Sequence, residues 1–155
     1  MKKKLFAIFA LLIVAAGITA VSSFDLGDLM GSSEPQNVTI NGIDFNIPAG
    51  FSEEKDVAIN GEVGEATGVK LTTWGKTYTK NGDENVISIG VGTYEGEESL
   101  DDLAAYIGNG TEEINGVSGY TYDDGGYGGF VYVKDNKVII LSTTDKELLK
   151  DVIIK

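Results

Sequence analysis

The chain has 155 residues, with 24 acidic side chains against 12 lysines and no Cys, His or Arg. Every acid lies after residue 24, beside only nine lysines, so that part carries a net charge of −15, a field that repels nucleic acid and anionic headgroups. Without His or Cys there is no His- or Cys-dependent nucleophile system and no ordinary zinc or copper site; without Arg there is no bidentate anion clamp.

Lys2, Lys3 and Lys4 precede seventeen uncharged residues, Leu5 to Val21, of which ten are Leu, Ile, Val or Phe. A positive flank before an apolar run is an export or membrane signal, with the lysines on the cytoplasmic side and the rest of the chain outside. At ~1.5 Å per residue the run spans about 26 Å, near the ~30 Å of a hydrocarbon core. We read residues 1–23 as a retained anchor; the alternative is a signal peptide cleaved near Ala20, Ser22 and Ser23. Residues 24–36, rich in Gly, Ser and acid, read as a flexible tether. Residues 37–155 then make one extracytoplasmic domain, held by its core alone because disulfides are absent.

Val38–Ile40 and Ile43–Ile47 flank Asn41-Gly42, a strong signal for a hairpin with a two-residue turn. The register puts Val38, Ile40, Ile43, Phe45 and Ile47 on one face and Thr39, Asp44 and Asn46 on a wet one. Ser52 to Gly68 shows no period. Val69–Lys80 and Val86–Tyr94 read as strands reversed by residues 81–85, with small Ser88, Gly90 and Gly92 along one face of the second. Ser99 caps a helix whose Leu100, Leu103, Ala104 and Ile107 form a stripe ended by Gly108. Val117–Tyr122 is a strand, and residues 125–129 form a flexible Gly-rich loop that lacks the ending of a phosphate cradle. Two apolar runs around Asp135-Asn136 pair Val133 with Val138, Val131 with Ile140, Tyr132 with Ile139 and Phe130 with Leu141. Both faces of that hairpin are apolar, which places it mid-sheet. Thr144 and Glu147 form a second capping box, opening a helix with Leu148, Leu149, Val152 and Ile153 on one face. Ile-Asn-Gly recurs from residues 40, 59 and 114 and reads as three turns of one kind. The expected class is α+β: an antiparallel sheet of about six or seven strands built from hairpins, flanked by two helices, after an N-terminal membrane or signal helix.

Carboxylates are the chemistry left. Glu95, Glu97, Glu98, Asp101 and Asp102 crowd the start of the first helix, where they either gather a hard cation such as Ca²⁺ or offset the helix dipole. Asn81, Asp83 and Asn85 resemble the start of an EF-hand loop, but Val86 and Gly92 occupy its Gly and Glu positions. Glu112-Glu113 is the pair for a carboxylate-based hydrolase, with no separation implied by adjacency. Tyr120, Tyr122 and Tyr127 are core residues or, if they cluster outside, a binding patch. Asn37 and Asn109 head glycosylation sequons.

Several strings resemble the PsbP-like α/β superfamily, which includes DcrB-type proteins: Ile43 to Phe51 is similar to its opening strand and Pro-x-Gly-aromatic turn, Glu98 to Ile107 to its middle helix, Asn115 to Tyr120 to the stretch before a hairpin, and Leu148 to Lys155 to its closing helix. The chain also resembles small exported archaeal proteins. The resemblance implies an antiparallel sheet flanked by helices, used as a binding or accessory module, and carries no functional residue with it. The expected function is a non-catalytic extracytoplasmic module, tethered to the cell membrane or secreted after cleavage, acting on another envelope protein, without a cofactor and without nucleic acid.

Overall fold

In the computed structural model, which describes residues 32–66, 69–97 and 99–155, the Asp135-Asn136 turn sets the centre of the molecule. Both residues have positive φ, 50° and 58°, as a two-residue hairpin turn matched to strand twist requires. They join β9 (Tyr127–Lys134) to β10 (Lys137–Thr143) in the expected register, with Val133 opposite Val138 and Phe130 opposite Leu141. Before them come β1 (Gln36–Ile40), β2 (Ile43–Ile47), β3 (Phe51–Glu53), a 3-10 turn at Lys55–Val57, β4 (Ile59–Ala66), β5 (Val69–Lys80), β6 (Val86–Glu95), helix α1 (Leu100–Ile107), β7 (Gly110–Ile114) and β8 (Val117–Asp124). Helix α2 (Leu148–Val152) comes after β10.

Eight of the ten strands among the described residues make one antiparallel sheet in the order β3-β5-β6-β10-β9-β8-β7, with β4 sharing the outer edge of β5 with β3. The β1–β2 hairpin and α2 pack on one face: Phe45, Ile47, Leu149 and Val152 meet Ile87, Ile89, Phe130, Tyr132 and Leu141. On the other face, Leu103, Ala104 and Ile107 of α1 meet Tyr122, Val131, Val138 and Ile140. The doubly apolar β9–β10 pair is therefore central and covered on both sides, as its composition requires. At Gly92 an added Cβ would lie 2.9 Å from Leu71 and 3.1 Å from Val138, so the small residue lets those two side chains close over β6.

Several expectations need correction. The expected strand tally omits β3, β4 and β7: β3 is only three residues long, β4 is interrupted by glycine and acid, and β7 is nearly all polar. The three Ile-Asn-Gly strings are not of one kind. Asn41-Gly42 and Asn115-Gly116 are positive-φ hairpin turns, whereas Gly61 (φ +75°) is the extra residue of a bulge in β4, seated against the Trp74 ring. The second capping box does not form. Thr144 Oγ1 accepts from the Val86 amide at 2.9 Å, and Asp145 Oδ1 takes the Glu147 amide instead. The closing helix is one short turn, after which Ile153 bridges to Phe45.

The expected membrane or signal segment and residues 24–31 of the tether lie outside the described residues, among which no helix is long and apolar enough to cross a membrane. The end of the tether is held: the Gly50 amide donates to the Ser32 carbonyl at 2.7 Å, and Gln36 already belongs to β1.

Candidate functional site

A shallow, open groove lies where α1 hands the chain to the sheet edge. Ser99 Oγ accepts from the Asp102 amide at 3.1 Å and donates to its carboxylate at 2.7 Å, which fixes the first turn of α1. Gly108 closes the helix in extended conformation, not with the positive φ of a usual glycine cap. Its necessity is steric: a Cβ there would lie 2.2 Å from that of Tyr120. The helix end therefore rests directly on β8, and after Asn109 the chain runs straight into β7, with the Asn109 amide donating to the Thr121 carbonyl at 2.9 Å.

The Asn115-Gly116 turn sets the register of β7 against β8. Ile114 pairs with Val117, Glu113 with Ser118, Glu112 with Gly119 and Thr111 with Tyr120. Successive strand residues point to opposite faces. Tyr120 packs with the α1 cluster, so Thr111, Glu113 and Ser118 stand on the α1 side and Glu112 on the other. Together with Asp101 from the helix they border this open groove of about 430 Å³, and among the described residues that line it there is no lysine. Such a surface supplies carboxylate, hydroxyl and carbonyl oxygens and one aromatic ring. Among the described residues, none of the hydroxyls that line it is hydrogen-bonded to a carboxylate.

The groove borders an unpaired edge. A two-residue turn closes with the Ile114 carbonyl accepting from the Val117 amide, and hydrogen-bonded and non-bonded pairs then alternate along the ladder. The main-chain groups of Thr111 and Glu113 are therefore the ones turned away from β8. No described strand lies beyond them.

The expected acid cluster is divided among separate tasks. Glu95 pairs with Lys70 at 3.3 Å, Asp102 is taken by Ser99, Glu97 is exposed, Asp101 borders the groove, and Glu98 lies outside the described residues. Among the described residues no group of three or more acids gathers closely enough for a metal ion. Glu112 and Glu113 are exposed on opposite faces of β7 and do not converge. The three tyrosines share one face of the sheet but make no exposed patch. Tyr122 is 5% exposed, with its hydroxyl donating to the Leu141 carbonyl at 2.9 Å, while Tyr120 and Tyr127 are half-buried. Both sequon residues, Asn37 and Asn109, are exposed. Sequence reasoning misses Thr111 and Ser118; a hairpin turn at Asn115-Gly116 demands a strand before it, and that is the signal that points to them.

Unsatisfied polar atoms sit elsewhere, in the core. The hydroxyls of Tyr78 and Tyr132 are buried without a hydrogen-bond partner among the described residues. Burial raises both above the usual tyrosine range, with the Glu53 carboxylate adding to the effect at Tyr78.

No family model matches the chain, and neither a curated protein nor a solved structure matches it.

Proposed function

We propose that the chain is a non-catalytic binding or accessory module held outside the cytoplasmic membrane by its N-terminal segment, its partner another envelope protein. The observation that carries this reading is the join of Lys2–Lys4 and an uncharged seventeen-residue run to a domain of net charge −15. Lysines at that flank stay on the cytoplasmic side and leave the part after the run, acidic here, outside. The missing His, Cys and Arg support binding over catalysis, and so does a groove whose described hydroxyls are not hydrogen-bonded to its carboxylates. The likeness of Ile43–Phe51 and Asn115–Tyr120 to PsbP-like proteins belongs to the same reading.

Two experiments test it. Proteinase K added to intact spheroplasts digests the domain while a cytoplasmic marker survives; full protection of the domain contradicts the topology. A pull-down from native membranes with the full chain as bait recovers a specific partner. A hydrolytic activity that is lost in Glu112→Gln or Glu113→Gln would overturn the non-catalytic assignment.

A further inference from the structure

We infer that the free edge of β7 is a strand-addition site for an extended, lysine-rich segment of a partner protein. The inference rests on the binding-module reading above and names its surface. Both ends of the sheet are open among the described strands, and they are built differently. The β4 edge is broken by the Gly61 bulge, which twists the outer row of main-chain groups out of line. β7 pairs with β8 without a register shift over five residues, so the outward amides and carbonyls of Thr111 and Glu113 stay in step for another strand.

Side chains choose which strand can take that place. A second copy pairing antiparallel through the outward groups of β7 would set Glu112 against Glu112 or Glu113 against Glu113, according to register, and like charges directly opposite are destabilising. A strand with lysine at alternate positions meets the opposite situation. Added beside β7, it sets one row of side chains on the α1 side, opposite Glu113 and toward the groove that Asp101 borders, and the other row on the face of Glu112. Main-chain hydrogen bonds supply affinity and the side-chain rows supply selectivity, the usual division in strand addition. Lysines do stand near one end of β7, since Lys155 lies beside Gly116 and the Lys150 carbonyl accepts from Asn115 Nδ2. Both belong to the turn end of the strand, leaving Thr111 to Glu113 as an acidic stretch.

The probe is a fluorescein-labelled peptide alternating lysine with valine, titrated by anisotropy into the full chain in neutral detergent, with a glutamate–valine peptide as its counterpart. The lysine peptide binds at low salt, shifts the Thr111 and Glu113 amide resonances, and outcompetes the glutamate peptide. Glu113→Pro removes an outward donor without removing a β7–β8 hydrogen bond, and weakens binding about tenfold. Glu113→Lys, which leaves the backbone untouched, does the same. Glu62→Lys makes an identical change of charge on the exposed β4 edge and leaves binding unchanged. Equal loss in Glu62→Lys and Glu113→Lys, or binding indifferent to Glu113→Pro in a folded protein, overturns the inference. The two readings fail separately. If Glu113→Pro and Glu113→Lys still recover the wild-type partner from membranes, the edge is refuted and the module reading survives; if the wild type recovers nothing, the module reading itself falls.

Discussion

The β9–β10 and β7–β8 hairpins are closed by nearly the same turn and have opposite fates. Asp135-Asn136 and Asn115-Gly116 both hold two consecutive positive-φ residues in a two-residue loop. What separates the hairpins is the flanks. Phe130 to Tyr132 and Val138 to Leu141 are buried on both faces, whereas Thr111 to Glu113 of β7 are exposed throughout. Turn chemistry decides where the chain reverses; the number of apolar faces decides whether the strand ends at the centre or at the rim. The molecule thus buries one hairpin between its two cores and leaves accessible main chain at the edge of the other.

The strongest way to break this contrast is to empty the centre. Phe130 is 0% exposed, and Phe130→Ala is expected to cost about 3–5 kcal/mol in a denaturant titration. Gly129→Ala drives a Cβ to 2.0 Å from the Tyr122 ring and costs about 3 kcal/mol, because that ring is held by its hydroxyl and cannot move aside cheaply. An unchanged midpoint in either variant would mean that the centre is not where stability lies.

Alkali probes the same core. Tyr78 and Tyr132 stay protonated in the fold above the ordinary tyrosine value of 10.0, while the unfolded chain has begun to lose those protons. The unfolded state then binds fewer protons than the folded one, so stability is intact below pH 10 and falls as pH rises further. Tyr132→Phe removes one of these groups together with an unpartnered buried hydroxyl. It should therefore flatten the decline by up to about 1.4 kcal/mol per pH unit and leave neutral-pH stability within about 1 kcal/mol of wild type. A parallel alkaline decline in the variant would remove Tyr132 from the account. At the rim the effect is smallest: Glu112→Ala changes stability by less than about 0.5 kcal/mol, because the side chain is solvated. A larger loss would show that β7 supports the fold in a way its exposure does not suggest.

Much of the fold is legible in the sequence wherever the side-chain period agrees with a turn. Residues 38–47 and 130–141 declare their registers because alternation and turn length point to the same pairing. Legibility fails where a strand buries little. Gly110 to Ile114 carries one large apolar residue, and Ile59 to Ala66 is punctuated by Gly61 and Gly64, so neither has a pattern without its neighbour in place. Thr144 has the spacing to Glu147 of a cap, but its hydroxyl is taken by the start of β6, a contact 58 residues away in sequence. The groove is hidden for the same reason. In sequence Asp101 is only one of a run of acids, and nothing local to it reveals that α1 ends against β8.

The most direct test of the account is site-specific photo-cross-linking in native membranes, with a benzophenone side chain replacing Thr111 on the β7 edge and, separately, Glu62 on the β4 edge. We expect a discrete adduct from position 111, suppressed by Glu113→Lys, and none from position 62. An adduct from position 62 alone, or none from either edge, would contradict the assignment of β7 as the surface through which this domain meets its partner.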